Sequence, residues 1–234
     1  MDSQGITGDG RLTELRHYAA VRLMSRSRRI ETQLRNAADM LKSANRADDF
    51  FQVRLPFETS RRGVWKKMIE RLPDAGGLKG FEFGVGQGEA TRWWLRNFQD
   101  PSLSWYAFDT FTGNPETWRE HEKGTWNAYG LPPSIDDPRC SWVVGDVFET
   151  SEFVSTSVTP DDHLVILMDL NLKEPTSHVV EILSDLSFAS ASIYFDDFFD
   201  PAQARIAVSL AKRLRGCRPI ARSAKSLAFS THSE

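Results

Sequence analysis

Between Lys79 and Thr91 the chain reads K-G-F-E-F-G-V-G-Q-G-E-A-T, and this stretch limits the possible folds more than any other. An apolar run containing the acidic Glu82 meets three closely spaced glycines, Gly84, Gly86 and Gly88, and then a helix-like segment with Trp93, Trp94 and Leu95. Glycines there let the backbone turn sharply and let a ligand approach where a Cβ would otherwise stand. Strand, glycine turn and helix in succession build the nucleotide site at the carboxyl end of the first strand in doubly wound α/β folds.

The spacing narrows the ligand. Dinucleotide sites want G-x-G-x-x-G, whereas this turn is G-x-G-x-G with an acid two residues before the first glycine. A carboxylate there repels a pyrophosphate and accepts hydrogen bonds from an ammonium group or its waters. A nucleoside without phosphates is expected, and S-adenosylmethionine fits that description. A tight turn with no ligand is the alternative.

Strand-like runs at Gly80–Phe83, Leu103–Phe108, Ser141–Val144, His163–Met168 and Ala191–Phe195 alternate with helix-like segments at about 89–98, 174–187 and 201–215. This alternation predicts a mostly parallel sheet covered on both faces. Arg218–Ala221 and Ser226–Ser230 read as a terminal antiparallel hairpin, which makes seven strands in a Rossmann-like α/β domain over 59–234. A further helix is expected at 59–72. Residues 1–58 form a helical extension, with Leu23, Ile30, Leu34, Ala37 and Leu41 on one face of a helix over 12–42. That stripe either covers the main domain as a lid or pairs two subunits in a homodimer. The nearby arginines 22, 26, 28, 29 and 35 read as a solvated face, with an acidic partner as the alternative.

Composition excludes several classes. A net charge of −3 demands neither a nucleic-acid nor a membrane partner. No apolar run reaches transmembrane length, and Met1–Arg11 has no apolar segment of the secretory type, so a cytoplasmic protein with a small-molecule substrate is expected. Cys140 and Cys217 read as free thiols.

Aspartates end the strands, where α/β sheets bind ligands. Asp109, followed by Thr110 and Phe111, is placed to accept ribose hydroxyls, with capping of the next helix or turn as the alternative, and Asp146 to accept from an adenine amino group, with an ordinary G-D turn as the alternative. Asp169, Asp196 and Asp197 end the fourth and fifth strands, which would be neighbours. Three hard oxygen donors without histidine or cysteine suit Mg²⁺ or another hard divalent cation, which would relieve their mutual repulsion and acidify a coordinated hydroxyl. Helix capping is again the alternative. The long connection Thr112–Cys140 carries Trp118, His121, Trp126 and Tyr129, either facing a ring-shaped substrate or packing beneath the loop.

Four motifs in order, E-F-G-V-G-Q-G, F-D-T-F-T-G-N-P-E, M-D-L-N-L-K-E-P-T and Y-F-D-D-F, resemble those of the macrocin O-methyltransferase family, class I enzymes. The resemblance covers about half of the chain and implies a Mg²⁺-dependent, S-adenosylmethionine-dependent O-methyltransferase of natural-product sugars. Glu82, the three glycines and Asp109, with Thr110, Phe111 and Asp146 beside them, would belong to the cofactor site, and Asp169, Asp196 and Asp197 to the metal. One departure stands out: where the family pattern has a second acid, this chain has Asn171, which cannot take a proton, and Lys173 replaces an aromatic hydroxyl. Lys173 with a depressed pKa is then a candidate base, ahead of Glu174, His121 and His178, while a solvated lysine at a helix start is the alternative. A nicotinamide dehydrogenase would share the fold, but the glycine spacing and the lack of a tyrosine with a lysine four residues on count against it. A non-catalytic, methyltransferase-like scaffold is the competing reading.

Overall fold

The computed structural model describes residues 8–73, 77–214 and 216–232. Strands β1 (Leu78–Phe83), β2 (Ser104–Asp109), β3 (Cys140–Val144), β4 (His163–Met168), β5 (Ser190–Phe195), β6 (Arg218–Arg222) and β7 (Leu227–His232) form one sheet in the order β3-β2-β1-β4-β5-β7-β6. The first four pairings are parallel and the last two antiparallel. The sheet is therefore mixed rather than mostly parallel. The reason is the terminal hairpin, whose second strand inserts between β5 and β6.

Side chains of the central strands alternate between two apolar layers, as expected of a sheet buried on both faces. Phe81 and Phe83 of β1 with Leu164, Ile166 and Met168 of β4 join one layer, and Val165 and Leu167 join the other. The first layer is covered by α5 (Glu152–Ser157), α6 (Lys173–Asp185) and α7 (Pro201–Arg213), the second by α2 (Arg61–Ile69) and α3 (Glu89–Asn97). A Cβ on Gly80 would lie 2.1 Å from the Trp105 ring, so this glycine gives the buried indole its space. Helix starts follow local chemistry. Ser60 caps α2 by accepting from Gly63 N at 3.2 Å, Asp146 caps the short α4 (Val147–Thr150), and Asp200 caps α7 ahead of Pro201.

Helix α1 (Gly8–Phe51) is longer than the expected 12–42 and meets the body with its C-terminal end. Ser43 and Ala47 are buried, Phe50 and Phe51 pack on the first layer, and Ser43 Oγ donates to Phe199 O at 3.2 Å. The predicted stripe does not cover the sheet: Ile30, Leu34 and Leu41 are 51%, 66% and 67% exposed. The Leu23 side chain and those of Arg22 and Arg26 lie outside the described residues. Arg28, Arg29 and Arg35 are solvated. Among the described residues no helix is long and apolar enough to cross a membrane.

Strand order reverses between β1 and β4, because the chain leaves β1 toward β2 but returns from β3 to β4. The carboxyl ends of these strands flank the crevice where such sheets bind ligands. A cavity of about 760 Å³ lies there.

Candidate active site

The glycine turn is held by one carboxylate. Asp109, at the end of β2, accepts from Val85 N and Gly86 N through Oδ2, both at 2.8 Å, and from Phe111 N through Oδ1 at 2.7 Å. Gly84 N donates to Phe108 O at 3.0 Å and Gly88 N to Val85 O at 2.9 Å. The backbone donors that would cradle a phosphate are thus already engaged, and a carboxylate stands behind them. Asp109 lines the cavity and keeps lone pairs for further donors.

Glycine is required at two positions for different reasons. Gly84 has φ +87° and a Cβ there would lie 2.1 Å from Asp169 O, so the turn and the end of β4 touch backbone to backbone. Gly86 has φ +52°, and the nearest atom to a Cβ is Trp126 Cβ at 4.0 Å, so a side chain there would extend into the cavity. Gly88 starts α3 and lies against Pro133 instead; it does not line the cavity.

Besides Gly88, two further expected cofactor residues are elsewhere. Glu82 is 1% exposed and lies under the turn, accepting from Thr91 Oγ1 at 2.7 Å and Trp105 Nε1 at 3.0 Å through Oε2. It links β1, α3 and β2 rather than facing a ligand, because it points into the layer between sheet and α3. Burial, opposed by those two hydrogen bonds, pushes its pKa up to about 7. Phe111 is fully buried with φ +57°, edge-on to Trp142 at 5.9 Å, and belongs to the core. Thr110 and Asp146 do line the cavity. Asp146 is also the N-cap of α4, accepting from Phe148 N at 2.9 Å.

Asp169, Asp196 and Asp197 all line the same cavity but do not form the expected cage. Among the described residues no group of three or more His, Cys, Asp or Glu side chains is arranged to hold a metal ion. A guanidinium pairs with two of the three instead. Arg61 Nη1 lies 3.4 Å from Asp196 Oδ2 and 3.6 Å from Asp169 Oδ2, while its Nη2 lies 2.7 Å from Glu89 Oε2. Tyr194 donates its hydroxyl to Asp196 Oδ1. Asp197 feels the positive charges of Lys225 and Arg119 without an ion pair to either among the described residues, and its Oδ2 is buried with no partner. Burial raises two of these carboxyls: Asp169, further raised by Asp196 and Asp197, sits well above the usual carboxylate range, and Asp197, further raised by Asp196, reaches about 8. The donor set thus fits a hard cation chemically, with one orphaned buried oxygen, but its geometry is set by Arg61.

The proposed catalytic pair separates. Asn171 lines the cavity and donates from Nδ2 to Asn114 Oδ1 at 2.9 Å, leaving Asn114 Nδ2 buried without a partner. Lys173 does not line the cavity; it is 65% exposed beside Glu174 at 3.9 Å, as the first residue of a solvated helix start would be. His178 bonds Ser151 at 2.9 Å away from the cavity, whereas His121 lines it, stacked on Trp118 and tilted 4.6 Å from Trp126. The turn after β4 is fixed by the buried Gln203, which donates to Leu170 O at 2.8 Å and Asn171 O at 3.1 Å.

The loop between β2 and β3 closes one side. Arg119, itself at φ +53°, joins Asp39 of α1 at 3.1 Å to Asp200 of the α7 cap at 2.8 Å, bonds Asn36 at 2.8 Å, and lies over Phe199. Trp126 and Tyr129 are also left-handed, at φ +65° and +57°. Each such residue costs on the order of 1–2 kcal/mol, so surrounding contacts must hold the loop. Arg61, Asn114, Arg119 and Gln203 were not singled out by sequence. Only the helices expected at 59–72 and about 201–215 and the length of the loop signalled their neighbourhoods.

No protein-family model matches the chain, and no curated protein does. Solved structures match in fold. The calicheamicin methyltransferase CalS11 shares 18% identity over 73% of this chain and 76% of its own, with a TM-score of 0.51. The O-methyltransferase NovP shares 20% over 74% and 78%, with a TM-score of 0.50. The chain has the α/β fold of these two enzymes.

Proposed function

We propose that the protein is an S-adenosylmethionine-dependent methyltransferase acting on a hydroxyl of a small molecule such as a natural-product sugar, with a hard divalent cation, Mg²⁺ by preference, at Asp169, Asp196 and Asp197. One observation carries the cofactor reading: the Val85 and Gly86 N–H groups are bound by Asp109, so the turn favours a nucleoside over a phosphate. Gly86 leaves room for the ligand and Thr110 and Asp146 flank it. S-adenosylmethionine, when bound, supplies an electrophilic methyl group, and the divalent ion acidifies an oxygen ligand.

The residues of the chain do the positioning. Asn171 fixes Asn114 through its Oδ1, and both amides line the cavity. Trp118, His121 and Trp126 offer flat faces to a ring, and the Arg119 clamp holds that loop against α1 and α7. Orienting two bound reactants can supply on the order of 7–11 kcal/mol. Asn171 holds no proton to exchange and Lys173 stands outside, which favours activation by the ion over a dedicated base at either position. The same facts support the second reading, a cofactor-binding scaffold without turnover. Transfer of labelled methyl to a panel of vicinal diols and catechols separates the two. Turnover that needs Mg²⁺, is lost in Asp196→Ala and leaves cofactor affinity unchanged is expected; persistence in excess EDTA refutes the ion's role.

A further inference from the structure

We propose that the Asp169–Asp196 pair is a cation site with two competing occupants, the Arg61 guanidinium and a divalent metal ion, and that the ion binds only as Arg61 withdraws toward Glu89. The inference rests on the metal-assisted reading above. Arg61 is the first residue of α2 and reaches across the crevice to both aspartates, at 3.4 and 3.6 Å, from an anchor on Glu89 at 2.7 Å. Its guanidinium also lies 5.3 Å from the ring centroid of Trp65, a fully buried residue one turn along the same helix.

Geometry makes the two cations rivals. An ion bound to Asp196 Oδ2 at a Mg–O distance of about 2.1 Å would lie no more than about 5.5 Å from Nη1, where two cations repel. The lone pairs facing Arg61 are those an ion would need. A further donor explains why an ion would still enter: Arg61 reaches Asp169 and Asp196 only, and the nine-tenths-buried Asp197, whose Oδ2 has no partner, lines the same cavity. Arg61 has somewhere to go, because its contacts with Glu89 and Trp65 do not involve the aspartates. In this view Arg61 holds the site together without the ion and sets the threshold concentration at which the ion enters.

The test is titration of Mn²⁺ into the full chain, read by loss of the free-ion paramagnetic resonance signal, for wild type, Arg61→Gln and Arg62→Gln. Arg62 is the control, since among the described residues its ion pair is with Glu89, at 3.0 Å, and with neither aspartate, and its loss changes the net charge equally. Arg61→Gln should tighten Mn²⁺ binding at least roughly tenfold, as removal of a like charge at that range implies, with Arg62→Gln close to wild type. Arg61→Lys, which keeps the charge but loses the fork, should tighten it less and serves if the glutamine variant does not unfold cooperatively. Unchanged or weaker binding in Arg61→Gln, an equal gain in Arg62→Gln, or no Mn²⁺ binding by any form at millimolar concentration overturns the proposal. S-adenosylhomocysteine titrated into wild type reports separately on the methyltransferase reading, so the two can fail independently.

Discussion

Replacing Glu82 with glutamine should remove a pH dependence that the wild-type protein carries between about pH 4.5 and 7. The carboxyl is buried beneath the glycine turn, and burial raises its pKa from 4.5 to about 7 despite the hydrogen bonds from Thr91 and Trp105. The folded state therefore holds a proton that the unfolded state has released across this window. Stability from this group is fully present below pH 4.5, falls as pH rises, and levels off above 7. A shift of about 2.5 units at 1.36 kcal/mol each corresponds to about 3 kcal/mol. Urea unfolding of both proteins at pH 4.5, 6 and 7.5 isolates the effect, because the raised aspartates of the site remain in both. The stability difference, wild type minus Glu82→Gln, should fall by about 3 kcal/mol from the acid end to the neutral end. A difference that stays flat, or grows with pH, would refute the reasoning that desolvation dominates at Glu82.

Asp109→Asn should loosen the glycine turn, because a neutral amide replaces a carboxylate that accepts from three backbone N–H groups. Charge-assisted hydrogen bonds contribute about 1.5–3 kcal/mol each, so S-adenosylhomocysteine affinity measured by calorimetry should drop at least roughly tenfold. Arg119→Ala should cost about 3 kcal/mol in denaturant unfolding, since it leaves the partly buried Asp39 and Asp200 unpaired. It should also speed amide exchange in the 112–139 loop and in α1 near Asn36, where the clamp is lost; unchanged exchange would show that the clamp does not hold the loop.

The parts of the fold legible in the sequence are those governed by local pattern. Alternating apolar strands, the helix-like segments between them and the G-x-G-x-G turn are short-range signals, and each marks an element or a turn in the structure. The placement of charged side chains is not such a signal. Glu82 and Phe111 sit beside the ligand-facing residues in sequence, yet they point into the core because neighbours on a strand end or tight turn face opposite ways. Asp169 and Asp196 are adjacent in space as expected. What fills the space between them comes from Arg61, more than a hundred residues away, and no spacing rule reports such a contact. The mixed sheet has the same origin: the hairpin is visible in sequence, but not which of its strands pairs with β5.

Isothermal titration of the full chain with S-adenosylhomocysteine tests the cofactor site most directly. One molecule bound per chain, with affinity that falls in Asp109→Asn and is insensitive to phosphate, is the predicted result. No detectable binding of S-adenosylhomocysteine or S-adenosylmethionine at high micromolar concentration would contradict the assignment of the Asp109-braced turn as a methyl-donor site.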